Sequence, residues 1–302
     1  MLTGAHLYNP SATLSIRGPD ANSFLHGQFT NDLNRPDGSS TYGLWLNQKG
    51  KVLADSFVLR RAADDFLVFS KFSTAAVIRQ RLEAYLIADE VTVTDETAAW
   101  RAIDLWGPQA DLIGRTLCAE MPADGFFGHA DRALIFRGRS SRENGFTLLC
   151  PAVGVAELFR RVLAGGATES DANAAATARI AGGLPAVPAD IGPSDLPNEG
   201  GLDEVAISFT KGCYLGQEVI ARLKNLGRVR RRLHVVAGSG ATPSPNSEIF
   251  QDGKRVGEFR SAALRGDGFV AFAMLSLLNL NPAAGLSRSS DGLADIHLVP
   301  QR

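Results

Sequence analysis

"TKGCYLGQEVIAR" runs from Thr210 to Arg222 in the second half of a 302-residue chain. One cysteine stands between Lys211-Gly212 and Tyr214, and Gly216-Gln217-Glu218 follow at once. The preceding "VAISFT" reads as a strand and Lys211-Gly212 as a turn. A helix then starts near Tyr214, because Val219, Ile220, Leu223 and Leu226 share one face at helical spacing. Gly227 is placed to end that helix in the left-handed conformation. Cys213 therefore falls at, or just before, a helix N-terminus, where unsatisfied N–H groups and the dipole favour a thiolate. Lys211, two residues away, acts in the same sense. The competing reading is a small buried hydrophobe, the common fate of free cysteine. That reading is preferred for Cys118 in "TLCAEMP" and Cys150 in "TLLCP". Glu218 and Arg222 are i, i+4 and spaced to pair on the helix surface.

Strand–turn–helix units recur upstream. In "ATLSIRGPDANSFLHGQFTNDL" a strand through Leu14 and Ile16 ends at Gly18-Pro19. Asp20 caps a helix from Ala21 to about Phe29, with Phe24 and Leu25 inward. "TYGLWLNQKGKVLADSFVLRRAADDFLVFS" reads as three strands broken at Asn47–Gly50 and Ala62–Asp65. "STAAVIRQRLEAYLIAD" has the spacing of an amphipathic helix. "VTVTD" and "WRAIDLWGP" are strands, and "QADLIGRTL" is a helix. Strand, Gly-Pro, helix thus occurs twice, at "RGPDANSFL" and "WGPQADLIG". A third group pairs the strand "GFTLLCP" with the helix "VGVAELFRRVLAGG". Together these predict an α+β body of antiparallel sheets with helices packed on them. "AGGLPAVPADIGPSDLPNEGG" is a long irregular connection. Beyond residue 227 the chain reads as short strands with an Asp252-Gly253 hairpin turn, so a small all-β domain is expected over residues 228–302.

Bulk composition narrows the function. Hydrophobic residues make up 45% of the chain and the net charge is −1, with 31 basic against 32 acidic residues. Overall charge thus gives no case for nucleic acid as a direct ligand. No signal-peptide pattern opens the chain, and even "FVAFAMLSLLNL" is too short to span a bilayer. Three cysteines without C-x-x-C spacing exclude a disulfide framework and a cysteine zinc site, and point to free thiols in the cytoplasm. Five scattered histidines give no metal motif.

"KGCYLGQEVIAR" resembles the signature of the YgfZ family, K-G-C-[YF]-x-G-Q-E-x-x-x-R, at every fixed position. "SFLHGQFTNDL", "LNQKGKVLADSFVLR", "AIDLWGPQA" and "ARIAGGLPAVPADI" are similar to the family's further motifs, in the right order. These proteins are folate-binding relatives of the glycine cleavage T-protein, a tetrahydrofolate-dependent aminomethyltransferase. The resemblance implies a ring of three strand–helix subdomains around a central folate channel over residues 1–227, and a small C-terminal β-barrel. It implies a protein that binds tetrahydrofolate or a one-carbon derivative and supports assembly or repair of iron–sulfur proteins, and thereby tRNA-modifying enzymes. Iron–sulfur proteins or their assembly factors would be its partners. Cys213 is the implied key thiol, as nucleophile, redox thiol or transient cluster contact. Asn31, Asp32, Asp55, Lys211, Gly212, Tyr214, Gly216, Gln217, Glu218 and Arg222 are the implied folate-channel or signature residues. His26 lies in the same N-terminal motif, where a core or capping role is the alternative.

Two positions depart from the transferase. Its pterin-holding acid is matched by Ala181, and its Asp-Asp pair by Ala54-Asp55. A glycine-cleavage aminomethyltransferase is therefore the alternative, and a non-catalytic folate-binding scaffold a third reading. The basic run Lys224, Arg228, Arg230, Arg231, Arg232 reads as a solvated strand edge. Its functional alternative is an anion site for a folate polyglutamate tail or RNA phosphate.

Overall fold

The computed structural model describes residues 2–142, 145–227, 229–278 and 280–300, with only the backbone of Asn225 and Leu226. Arg228 and the Leu226 side chain lie outside the described residues.

After β1 (Gly4–Tyr8) the chain builds one unit from β2 (Ala12–Arg17), α1 (Ala21–Gln28), β3 (Ser40–Leu46), β4 (Val52–Ala62), β5 (Asp65–Ser70), α2 (Ala75–Glu83) and β6 (Thr92–Asp95). The next unit repeats the succession with β7 (Trp100–Trp106), α3 (Ala110–Leu117), β8 (Phe127–Ala130), β9 (Ala133–Arg137), β10 (Gly145–Pro151), α4 (Val155–Ala164) and β11 (Thr168–Glu169). The first sheet has the order β3-β4-β5-β2-β6 and the second β8-β9-β10-β7-β1-β11. Strand for strand these are one topology used twice, with β1 inserted between β7 and β11. The two Gly-Pro turns are its visible mark: Gly18 and Gly107, at equivalent corners, have φ of 140° and 110°. The third strand–helix group is not a separate unit, because β10 pairs with β7 in the second sheet.

Alternation along the strands explains the layering. On β5, Phe66 and Val68 pack under α1 and α2, while Leu67 and Phe69 face the other way. On β7, Ile103 and Leu105 pack under α3 and α4, while Ala102 faces the other way. Leu59, Leu67 and Phe69 of the first sheet meet Leu134, Phe136 and Leu149 of the second. The sheets thus lie face to face with their helices outside. Burial on both faces is why these strands read as nearly continuous apolar runs.

The rest of the chain braces this sandwich. α5 (Ala172–Ala181) packs Ile180 against Val235, Val270 and Phe272 of the C-terminal sheet. Its Ala-rich sequence has no strong apolar stripe, which left it unread. The connection after it is irregular, as expected, and leads to α6 (Asp203–Ala206) and α7 (Gln217–Leu226). "VAISFT" is not a strand: α6 ends inside it, and its Ser208 N–H donates to the Thr30 carbonyl at 3.1 Å. The Thr30 hydroxyl, in turn, donates to the Ala206 carbonyl at 2.7 Å. Gly227 is not left-handed either, having φ of −109°.

The C-terminal sheet comprises β12 (Arg231–Ser239), β13 (Glu248–Gln251), β14 (Lys254–Arg265), β15 (Gly268–Ser276) and β16 (Ile296–Leu298) in the order β13-β14-β15-β12-β16. Asp252 and Gly253 make the expected hairpin turn, both with positive φ. Bridges from Ser287 to Phe250 and from Leu286 to Ile296 tie the two edges together and close a small barrel. Val236, Phe259, Phe269 and Leu275 fill it. Ion pairs fasten this barrel to the body. Arg231 Nε lies 2.8 Å from Glu199, and its Nη2 lies 2.8 Å from the buried Asp195. Within the basic run, then, Arg231 is paired to acids rather than solvated, whereas Arg230 and Arg232 are exposed.

Candidate functional site: an inter-sheet cleft and a surface thiol

A small cleft of about 40 Å³ opens where the two sheets part. Each sheet contributes a tyrosine, a carboxylate and hydroxyls. From the first, the Tyr42 hydroxyl donates to Asp55 Oδ2 at 2.9 Å, and Ser70 and Ser73 donate to Asp55 Oδ1 at 3.1 and 2.8 Å. From the second, Tyr8 and Thr147 donate to Asp104 Oδ1 at 3.1 and 2.8 Å. A cation lies on each tyrosine ring: Arg139 over Tyr42 at 4.3 Å and Lys71 over Tyr8 at 4.5 Å. Lys71 Nζ also donates to Asp104 Oδ2 at 2.6 Å.

Burial dominates the proton affinities here. It raises the Asp55 carboxyl above the ordinary range, against the lowering effect of hydrogen bonds from Ser73, Tyr42 and Ser70 and of the Arg139 charge. It pushes the Tyr42 and Tyr8 hydroxyls well up, assisted by the charges of Asp55 and Asp104 respectively. The two buried acceptors, aromatic walls and flanking cations are chemically complementary to N–H donors on an aromatic ring. Arg179 closes one side. Its guanidinium donates to Asp190 at 2.7 Å and to Ser261 at 2.8 Å, and lies 5.3 Å from the Phe72 ring. Ala181 is exposed at the end of α5 and does not line the cleft, so Asp55 and Asp104 are the cleft's carboxylates among the described residues.

Of the residues predicted from sequence, Asp55 alone lines this cleft. The others gather on a neighbouring surface. Lys211 Nζ donates to the carbonyls of His26, Phe29 and Asn31 at 2.5, 2.7 and 3.1 Å, which pins the signature to the end of α1. Burial pushes this ammonium down to about 8, although the Asp32 charge pulls the other way. Asp32 is half-exposed, 3.6 Å from His26 Nδ1. That nitrogen accepts from the Leu33 N–H at 3.3 Å, so His26 holds the loop that follows α1. The His26 ring is pushed down by burial and by Lys211, with Asp32 opposing. Asn31 Nδ2 donates to the Tyr42 carbonyl at 2.9 Å. Hydrogen bonds therefore run from Lys211 through Asn31 to Tyr42, whose hydroxyl holds Asp55.

Gly216 sets the signature's shape. It is left-handed, with φ of 85°, and a Cβ there would lie 2.7 Å from the Asn47 carbonyl oxygen in the β3–β4 turn. The turn motif and the signature are thus one packed surface, closed by Val219 against Gly50. The left-handed residue delays α7 to Gln217, so Cys213 is not at the helix start as expected. Lys211, two residues before it, is committed to three carbonyls. Cys213 is nevertheless exposed, while Cys118 and Cys150 are buried, as expected. Tyr214 is buried in the core beneath, its hydroxyl pushed up to about 12. Gly212, Glu218 and Arg222 are exposed and Gln217 is half-buried. Among the described residues, Glu218 and Arg222 form no ion pair with each other. Sequence reading missed Tyr8, Tyr42, Lys71, Asp104 and Arg139. Asp104 carried a signal, being a lone acid inside the apolar strand "AIDLW".

Comparison with known proteins bears on the fold and the family. Residues 8–211 match the GCVT N-terminal domain, and residues 230–294 match the CAF17 C-terminal β-barrel domain. The chain belongs to the YgfZ/CAF17 family. Human mitochondrial IBA57, an iron–sulfur cluster assembly factor, is 30% identical over 285 residues, covering 87% of this chain and 74% of that protein. The tRNA-modifying protein YgfZ of Edwardsiella ictaluri is 29% identical over 303 residues, covering 95% and 88%. The glycine cleavage aminomethyltransferase T of Bartonella henselae superposes with a TM-score of 0.77 at 21% identity, covering 93% of this chain and 80% of that one. The YgfZ/CAF17 chain thus has the GCVT-like fold with a C-terminal barrel. No helix among the described residues is long and apolar enough to cross a membrane.

Proposed function

We propose that this chain binds tetrahydrofolate or a one-carbon derivative in the inter-sheet cleft and supports assembly or repair of iron–sulfur proteins, and through them tRNA modification. Cys213 is its working thiol. The observation that carries this reading is the juxtaposition of a doubled tyrosine–carboxylate cleft with an exposed cysteine, linked by Lys211, Asn31 and Tyr42. Tetrahydrofolate, when bound, supplies a carrier for one-carbon units. Asp55 and Asp104 would accept its ring N–H groups, and Tyr42 and Tyr8 would flank the ring. The two named relatives support the iron–sulfur and tRNA side of the proposal. We place the protein in the cytoplasm, where its three free thiols remain reduced, and its domain boundary between residues 227 and 228.

Two measurements test this. Titration calorimetry with tetrahydrofolate is expected to show one site, weakened by Asp55→Asn and not by Cys213→Ala. In a bacterium lacking its YgfZ, wild type restores iron–sulfur enzyme activity and Cys213→Ala does not. Equal rescue by both would remove Cys213 from the function. Release of ammonia from aminomethylated lipoyl protein would establish the transferase instead, a reading that Ala54 and Ala181 disfavour.

A further inference from the structure

We infer that Arg139 is an internal stand-in for the ligand: its guanidinium lies where a bound ring would stack on Tyr42, and it must swing out before the ring enters. This rests on the folate reading of the cleft and adds a gate to it. The cleft as it stands encloses about 40 Å³, room for about three waters. Small-molecule sites enclose roughly 300 Å³ or more, so a bicyclic ring enters only if a wall moves.

Three cations line the cleft: Lys71, Arg139 and Arg179. Two of them are fixed. Lys71 Nζ lies 2.6 Å from the buried Asp104, and Arg179, itself buried, lies 2.7 Å from the buried Asp190 and donates to Ser261. Withdrawing either would strand a buried carboxylate. Arg139 is different. It is half-buried, and among the described residues it forms no ion pair with a carboxylate. Its guanidinium rests 4.3 Å from the centre of the Tyr42 ring and acts on the Tyr42 hydroxyl and, at longer range, on the Asp55 charge. The backbone on either side is held: the Gly138 N–H donates to the Gly145 carbonyl at 3.2 Å, and Ser140 is buried. Opening is therefore a rotation of one side chain. Arg139 also borders a space of about 790 Å³ outside the cleft, which can receive the withdrawn guanidinium.

The chemistry makes the two occupants equivalent. A guanidinium is flat, stacks on an aromatic face and directs in-plane N–H donors at a carboxylate. The aminopyrimidinone end of a pterin is a cyclic guanidine, equally flat and with N–H donors on one edge. The Tyr42 face and the Asp55 charge can serve either of them, but not both at once. A contact that must break before binding lowers the apparent affinity by the fraction of molecules already open.

The test is titration calorimetry on the full chain, wild type against Arg139→Ala, with tetrahydrofolate and with 6-methyltetrahydropterin, which has the ring and no tail. A partly exposed cation–π contact corresponds to a factor of about five, so Arg139→Ala should bind both compounds about five-fold tighter. Far-UV circular dichroism reports that the variant is folded. Equal or weaker binding of the tetrahydropterin by the folded variant would overturn the inference. Weaker binding of tetrahydrofolate with the tetrahydropterin unchanged would also overturn it, because Arg139 would then hold the tail rather than the ring's place. Binding of neither compound to either protein would sink the cleft reading and this inference with it.

Discussion

Gly216→Ala and Gly212→Ala alter two glycines of one signature and should behave in opposite ways. At Gly216 the backbone is left-handed, which costs a residue bearing a Cβ about 1–2 kcal/mol. The new methyl would also stand 2.7 Å from the Asn47 carbonyl oxygen and 3.2 Å from Gly50 Cα. Both are backbone atoms of a tight turn, so the turn itself must move, and overpacking of this kind costs about 1–3 kcal/mol. The expected loss is therefore about 2–5 kcal/mol. At Gly212 a Cβ meets nothing within 4 Å, and the change should stay within about 0.5 kcal/mol. Urea unfolding by far-UV circular dichroism gives both values from the shift in midpoint at constant slope. A Gly216→Ala protein as stable as wild type, or a Gly212→Ala protein equally weakened, would refute the packing argument. The signature's glycines would then matter for chemistry at Cys213 rather than for shape.

Lys211→Met removes the donor shared by three carbonyls and should destabilise by about 1–3 kcal/mol; an unchanged urea midpoint would show that water replaces it freely. For Asp55→Asn the informative readout is pH. The raised carboxyl of Asp55 contributes stability that is fully present below the ordinary aspartate value and is lost as pH rises through its folded value. The stability difference between wild type and Asp55→Asn should therefore move in favour of the asparagine variant as pH rises above the ordinary aspartate value, and a flat difference would contradict the burial. A thiol reagent should label Cys213 alone in the native protein, because Cys118 and Cys150 are buried and Cys150 is pushed up to about 11. Prompt native labelling of two or three thiols would contradict this.

How much of this could be read in the sequence follows from how local each cause is. The repeated Gly-Pro corners were legible because a turn needs only its own residues, and they disclosed a duplicated fold. The Asp252-Gly253 hairpin was legible for the same reason. "VAISFT" misled because an apolar run with β-branched residues scores as a strand whatever covers it. In the fold Ala206 and Ile207 are buried against Leu44 and Leu46, beside the Thr30 contacts. The start of α7 was misplaced because the left-handed turn at Gly216 depends on the β3–β4 turn, far away in sequence. The cleft was least legible. Tyr8, Tyr42, Asp104 and Arg139 come from separate strands and a loop, and nothing in their immediate neighbours announces that two sheets will bring them together.

The position of β1 sets a timetable for the nascent chain. β1 pairs with β7 from Gly4 opposite Trp106 to Tyr8 opposite Ala102, and the whole first unit lies between them in sequence. Once β6 has cleared the ribosome, every strand of the first sheet is free to pair, yet β1 has no partner until β7 emerges. Chains stalled in that interval carry a complete first unit and one orphan strand with open backbone groups, the kind of edge that recruits a neighbouring chain. Because Tyr8 is the last residue of β1, one wall of the cleft is missing until the second unit folds back onto the beginning of the chain. Ligand competence should thus arrive as a step late in synthesis, and truncations ending before residue 100 should form a folded unit that binds nothing in the cleft and associates through β1.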